Sequence, residues 1–530
     1  MSTKTWSVSN ISTLLVIAAI IIVVNLIGLK LFARADLTEQ SIYTLSQASR
    51  NVVGGLTDRL TVKAYFTKDL PAPYNANSRY VRDILEDYRT YGNGNFYYEF
   101  VDPADEEQLE REAQSYRVQP AQVNVMEKDA LQLKKVYMGL VLIYGDKHET
   151  IPLIQSVNNF EYEMTSTIKR LVSKELPKIG FLTNYGTPDL GQDLRTVATA
   201  LSKHYEVVPI NTKSGAELVP DDVHVLCVVQ PEEQIDDWTK FVIDQFIMRG
   251  GKVAWFVNKV SGDASTSQAT QLQLDIDDWT RRYGFTVANN LVLDANGAMI
   301  NIQRQQGIFM MTNLVRYPAF PEVVNFNQDH PVTKGLSAGT LFFPSSIDTV
   351  RPGEGNVSIT SLIQSSEYTM VQVGQFDISP EARRERSQFT GGQKLFAVSL
   401  TGTFPSYFKG RSVPLPADST AVAPTLNILT ESSDTRMIVV GDGNLLQGQY
   451  MQQGGPNLVF FLNSIDWLSQ DTDLLAIRSR DAAVRPLNPN ITDETKQRVK
   501  LANLIGPPAL VLLLGAMRWR NRRKRKEVTL

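Results

Sequence analysis

The chain has 530 residues, a formal net charge of −3, one cysteine and four histidines. A single thiol excludes an intrachain disulfide, and a mildly acidic chain lacks the basic surface that nucleic-acid binding requires. The charge is unevenly placed: seven cations against Glu527 give the tail 518–530 a charge of +6, so the rest carries −3 − 6 = −9.

Residues 7–29 contain no charge, and their centre (TLLVIAAIIIVVNLIGL) is dominated by Leu, Ile and Val. At about 1.5 Å rise per residue such a helix covers the ~30 Å hydrocarbon thickness of a bilayer, so 1–33 is expected to be a transmembrane helix. The competing reading is a signal peptide with a weak cleavage site at 31–35. A juxtamembrane segment, 34–59, follows.

Residues 60–155 alternate strand and helix. LTVKAYF (60–66) and FYYEFV (96–101) read as strands, 79–91 as an amphipathic helix and 105–116 as a polar one. A hairpin is expected from 136–144 and 149–154 around Gly145-Asp146. The order β-α-β-α-β-β resembles a thioredoxin-like module, but the loop 67–77 (TKDLPAPYNAN) has no Cys-x-x-Cys and therefore no thiolate for exchange chemistry. An amphipathic linker helix falls within 156–177, closed by Pro177.

The next domain, 178–489, begins with strands at 178–182, 206–210, 223–229 and 252–257 and helices at 193–205 and 237–249. β-Branched runs between helices predict a parallel sheet covered on both faces. A β-rich insertion, 259–435, includes expected strands at 341–344, 356–363 and 394–400 and loops at 380–386 and 414–424. Strand 436–440 and helix 457–468 return the chain to the same sheet. Residues 490–517 then comprise a second juxtamembrane stretch and an uncharged span, 501–517, that contains Pro507 and Pro508. The basic tail 518–530 belongs in the cytoplasm by the positive-inside rule, which places 34–500 outside with both termini within.

Ligands in open α/β sheets bind at the carboxyl ends of the strands. The loops there present Asn184, Tyr185, Gln230, Asn258, Asp442 and Asn444. These residues suit a small polar ligand, but the ordinary capping of turns and helices accounts for them better. None is a strong nucleophile, and no histidine lies near them in sequence to activate one. His148, His204, His224 and His330 show no metal-ligand spacing, and Asp329-His330-Pro331 reads as a turn. Cys227, within VHVLCVV, reads as a small apolar packing group. No phosphate loop is present, and neither metal nor cofactor is expected.

Several stretches in fixed order carry a resemblance: 36–46 (DLTEQSIYTLS), 330–336 (HPVTKGL), 396–404 (FAVSLTGTF) with Pro405-Ser406-Tyr407-Phe408, 438–446 (IVVGDGNLL), and the helix 457–468 leading to 474–480. With the two terminal segments they make the chain resemble the auxiliary, substrate-binding-like subunit of the gliding-motility type of ABC transporter, found in Bacteroidota and relatives. The resemblance implies an extracytoplasmic thioredoxin-like module joined to an α/β domain similar to class I glutamine amidotransferases, of flavodoxin-like parallel-sheet design. It also implies a separate permease and a cytoplasmic ATPase as partners. Active amidotransferases place a Cys at the turn after a strand, whereas Asn258-Lys259-Val260-Ser261 follows 252–257 here and Cys227 lies inside its strand. The expected function is therefore a non-enzymatic subunit at the cytoplasmic membrane, presenting outer domains to a substrate, an envelope component or a surface machine. The alternatives are a stand-alone membrane-anchored scaffold or receptor, and a membrane-tethered hydrolase.

Overall fold

The computed structural model describes residues 44–469, apart from short internal stretches of which 417–426 is the longest, together with 477 and 493–527. The expected N-terminal span lies outside the described residues, as do 36–43 and most of 474–480.

The first described element is helix α1 (Gln47–Gly54), N-capped by the Ser46 hydroxyl, which accepts the Ser49 N–H. Strand β1 (Leu60–Phe66), helix α2 (Tyr74–Tyr91), strand β2 (Phe96–Val101) and helix α3 (Glu107–Ser115) follow as the sequence predicts, α2 being one turn longer. A hairpin of β3 (Ala121–Glu127) and β4 (Ala130–Val136) then precedes β5 (Met138–Tyr144) and β6 (Lys147–Ile151). The sequence reading missed the hairpin. It joined Val136 to the apolar run after it, whereas the chain breaks at Tyr137 and β4 returns along β3.

These strands form a four-stranded sheet in the order β2-β1-β5-β6, with β2 parallel and β5 antiparallel to β1. Helix α4 (Phe160–Val172), read from sequence as a linker, buries Phe160, Met164, Ile168 and Leu171 in the same core as β1, β5 and α2. At about 1.5–3 kcal/mol for each large apolar side chain, that face makes α4 a structural member of this unit.

The second unit is an eight-stranded sheet. Its strands in chain order are β7 (Lys178–Leu182), β8 (Glu206–Ile210), β9 (Val223–Val229), β10 (Lys252–Phe256), β11 (Asn325–Phe326), β12 (Asn356–Gln364), β13 (Leu395–Thr403) and β14 (Thr435–Val440). Across the sheet they run β11-β12-β13-β14-β10-β9-β7-β8. From β14 to β8 all pairs are parallel. Numbered along the chain, those five strands have the flavodoxin-like order 2-1-3-4-5.

The β-rich stretch 259–435 supplies the other three strands. β13 pairs antiparallel with β14, β12 with β13 and β11 with β12, so these three strands extend the main sheet, while other strands of the stretch form small sheets of their own. Residues 341–344, expected as a strand, are not one: the chain is irregular there, and Phe343 has φ +55.

Alternate residues of the buried strands feed two cores. Cys227, Phe256 and Val440 lie on one side with helices α5 (Arg195–Leu201) and α8 (Pro456–Leu468). Leu226, Trp255 and Val439 lie on the other with α6 (Asp237–Met248) and α7 (Asp277–Tyr283). Helix α5 is shorter than expected because Asp189 and Asp193 organise the preceding turn, Asp193 accepting the Asp189 N–H at 3.0 Å.

The last element, α9 (Asp493–Glu527), is a single helix that includes the described part of the expected juxtamembrane stretch, the uncharged span and much of the basic tail. Its Leu501, Leu504, Ile505, Leu512, Leu514 and Met517 are exposed. Among the described residues, no helix is long and apolar enough to cross a membrane.

Candidate functional site

The carboxyl ends of β7, β9, β10 and β14 present the six residues singled out from sequence. All six are buried, and they form two groups.

The larger group surrounds the turn after β14. Asp442 Oδ2 accepts the Phe342 N–H at 2.6 Å, and Asn444 Nδ2 donates to the Phe342 carbonyl at 2.9 Å. Gln230 Nε2 donates to Asn444 Oδ1 at 2.8 Å, and Gln447 Nε2 donates to Gln230 Oε1 at 2.7 Å. Asn258 Nδ2 donates to the Val260 carbonyl at 2.6 Å, and its Oδ1 accepts the Gly443 N–H at 3.4 Å. The segment 341–346 therefore lies across the strand ends, with both polar atoms of the Phe342 backbone held by the turn.

Two glycines permit this approach. A Cβ on Gly441 would stand 2.0 Å from the Ser345 carbonyl oxygen, and one on Gly443 would stand 2.5 Å from Gln230 Cβ. The Ser345 N–H donates to the Gly441 carbonyl at 2.8 Å, and the Phe342 ring stacks on Tyr450 at 4.3 Å. Gln230 itself has φ +40, a conformation that L side chains adopt seldom.

Burial pushes the Asp442 carboxyl up to about 7, against the opposing pull of the Phe342 and Leu445 backbone N–H groups that it accepts. Its partners are neutral donors. Such a group holds a peptide unit in place, with the desolvation cost offset by hydrogen bonds to otherwise orphaned backbone.

Asn184 and Tyr185 form the second group, beside the point where the strand order reverses. The Asn184 amide meets the Asn211 side chain at 3.0 Å. The Tyr185 hydroxyl lies 2.6 Å from Thr239 Oγ1, which is 2.8 Å from Thr212 Oγ1. Tyr185 has φ +65, and its carbonyl accepts the N–H groups of Glu232 and Glu233, so it forms a tight turn between β7 and the loop after β9.

Two further polar arrangements join residues far apart in sequence, one at Asp244, not singled out from sequence, and one at His330. Asp244, on α6, is fully buried. It accepts the Tyr283 hydroxyl (2.7 Å), the Ser406 hydroxyl (2.7 Å), the Tyr407 N–H (2.8 Å) and the Gln245 amide (2.9 Å). The stretch 405–408 is thus fixed to α6. A carboxylate inside an otherwise apolar helix run was the available signal. His330 forms the second arrangement: its Nδ1 accepts the Val332 N–H at 3.3 Å, which leaves Nε2 to carry the proton toward Ser399 Oγ at 3.2 Å. Its ring also packs on Trp467, with centroids 5.1 Å apart.

These contacts join the sequence motifs to one another. HPVTKGL meets FAVSLTGTF through His330 and Ser399, and meets α8 through the Asn463 amide, which donates to the Val332 carbonyl at 3.1 Å. The remaining candidates serve the fold. Asp329-His330-Pro331 is a turn, with the Asp329 N–H donating to Asn327 Oδ1. Cys227 is buried in β9, and burial pushes its thiol up. Among the described residues no cluster of three or more His, Cys, Asp or Glu has metal-binding geometry.

Residues 39–143 match a domain of unknown function (DUF7088), and residues 176–466 match the auxiliary family described as an ABC-type uncharacterized transport system. An uncharacterized protein of Borreliella burgdorferi is 21% identical over 505 residues, covering 93% of this chain and 94% of that protein. Among solved structures, the mmIFT52 N-terminal domain aligns with a TM-score of 0.33 and 10% identity over 55% of this chain and 97% of that one, a likeness too slight to carry an argument. The transport-system match spans more than half of the chain, so the protein belongs to the ABC-type transport system auxiliary family.

Proposed function

We propose that the chain is a non-catalytic accessory subunit of an ABC-type transporter, held at the cytoplasmic membrane by its terminal segments beside a permease and a cytoplasmic ATPase. The observation that carries this reading is the filling of the strand-end crevice by 341–346. Where a ligand or substrate would enter an open α/β sheet, Asp442 and Asn444 hold the chain's own Phe342. The thioredoxin-like and amidotransferase-like readings fit the strand orders of the two sheets, and in each the reactive cysteine of the active relatives is missing.

Membrane attachment is supported by the apolar N-terminal sequence and by the outward-facing apolar side chains of α9. The uncharged part of α9 is shorter than the ~20 residues of a self-sufficient span, so it needs a neighbouring protein helix in the bilayer. The outer units would then sit at high effective concentration at the transporter exit, where individually weak contacts suffice. A role in gliding motility or envelope export is the finer form of this proposal.

The test is recovery of the tagged full-length chain from membranes in mild detergent. Co-purification of a polytopic permease with its ATPase is the expected result. A chain recovered alone supports the stand-alone scaffold and overturns the subunit reading.

A further inference from the structure

We propose that two copies of this chain pair through the outer edge of β2, joining their four-stranded sheets into one. The proposal does not rest on the transporter reading.

A sheet edge exposes unpaired backbone groups, and proteins protect such edges with charge, proline or brevity. Three of the four edges of the two main sheets are protected in this way. β6 (KHETI) carries Lys147, His148 and Glu149, β8 (EVVPI) carries Glu206 and Pro209, and β11 is two residues long. β2 (FYYEFV) is an aromatic strand with a single charge, and among the described residues no element pairs with its outer side.

The geometry points to one register. The Leu60 N–H donates to the Asn95 carbonyl at 2.8 Å, so Asn95 faces β1. In a parallel pair alternate residues turn both backbone groups to the same neighbour, so Tyr97, Glu99 and Val101 also face β1. Phe96, Tyr98 and Phe100 turn theirs outward. A two-fold axis perpendicular to the sheet keeps the α2-covered faces on the same side, and so pairs only residues of like parity.

With Tyr98 opposite Tyr98 of the second copy, Phe96 falls opposite Phe100. Every outward N–H and C=O of those three residues then finds a partner, as hydrogen-bonded antiparallel pairs require. Shifting the centre to Glu99 sets two carboxylates against each other and leaves the outward groups of Phe96 without partners.

Charge favours the same register. The Arg59 guanidinium lies 4.0 Å over the Tyr97 ring, and Tyr97 falls opposite Glu99 of the second copy. Each Arg59 is thereby brought to the other copy's Glu99, twice by symmetry. On the opposite face Arg82 covers the Phe100 ring, while Glu86 accepts the Tyr98 hydroxyl and pairs with Arg89, so like charges do not accumulate there.

The test uses full-length chains with two different tags, one carrying Tyr97→Cys and the other Glu99→Cys, co-expressed and oxidised in membranes. Directly opposite residues in a non-hydrogen-bonded pair have Cα atoms about 4.5 Å apart, within disulfide range. The expected result is a disulfide-linked species of twice the chain mass that carries both tags, with only background from either variant alone. In detergent, Glu99→Arg shifts the unlinked protein toward monomer, and adding Arg59→Glu restores the dimer. Crosslinking of Glu99→Cys alone, or a monomeric native mass for the unmodified chain, overturns the proposal.

Discussion

Asp442 and Phe342 are one hundred residues apart in sequence, yet the carboxylate of the first accepts the backbone N–H of the second at 2.6 Å inside the protein. Through this bond the turn after β14 closes the crevice that an open α/β sheet leaves at its strand ends. It also accounts for a carboxylic acid buried without a cation.

The bond has a pH signature. Burial moves the folded-state value of Asp442 from 3.8 up to about 7. Between those values the native state binds more proton than the unfolded chain, so stability falls as pH rises. Asp442→Asn keeps an acceptor for the Phe342 N–H and cannot ionise. Relative to the parent chain, its unfolding free energy is expected to gain a few kcal/mol between pH 5 and pH 8, by the conversion of pKa shift to energy. Denaturant unfolding at the two pH values measures this, and a pH-independent difference refutes it.

The same closure predicts the outcome of a one-carbon change. Gly441→Ala places a methyl group 2.0 Å from the Ser345 carbonyl oxygen, and a backbone atom cannot yield as a flexible side chain would. Overpacking of this kind costs about 1–3 kcal/mol. The melting temperature should therefore drop by several degrees, with faster hydrogen exchange in 341–346. An unchanged melting temperature would show that this segment is not clamped.

Legibility in the sequence followed physical range. β1, β7, β9 and β10 are short apolar runs between breakers, and α6 carries its own start signal in Asp236, whose side chain accepts the Thr239 N–H at 2.7 Å. Local periodicity and capping suffice for such elements. The segment 341–344 misled because Leu-Phe-Phe-Pro has strand composition, while its conformation is set by Asp442 and Asn444 a hundred residues later. The site candidates show the same limit. Their position at strand ends could be read from the sequence, but the occupant of the crevice could not. Nor does β-propensity reveal that β12 and β13 would extend the parallel sheet in the opposite sense, because edge pairing depends on which strand of the sheet is left open.

Asp244 provides a test of how the insertion is fastened. Asp244→Ala leaves the Tyr283 and Ser406 hydroxyls and the Tyr407 N–H without their acceptor in a buried site. Losing that many partners is expected to cost about 3 kcal/mol or more. Asp244→Asn retains one acceptor oxygen and should lose less. Limited proteolysis should find new cleavage near 405–411 in the alanine variant. Resistance equal to the parent chain would show that the stretch 405–408 is held by its apolar contacts alone.

Ser46, the residue before α1, is tied down in a comparable way, and its release should be visible at the start of the described chain. Glu161 Oε1 on α4 accepts the Ser46 N–H at 2.7 Å and the Ser49 hydroxyl at 2.6 Å, while Leu45 and Val53 enter the core beneath. Removing this acceptor from the buried Ser46 N–H costs about 1–3 kcal/mol, which a helix of eight residues cannot supply on its own. Glu161→Ala should therefore free α1 before the rest of the unit. Hydrogen exchange across 46–54 should accelerate at least tenfold, an opening eased by about 1.4 kcal/mol or more. Exchange in β1 and β5 should stay near that of the parent chain. Uniform acceleration through the whole sheet would instead make Glu161 part of the global folding core, and α1 would not open separately from it.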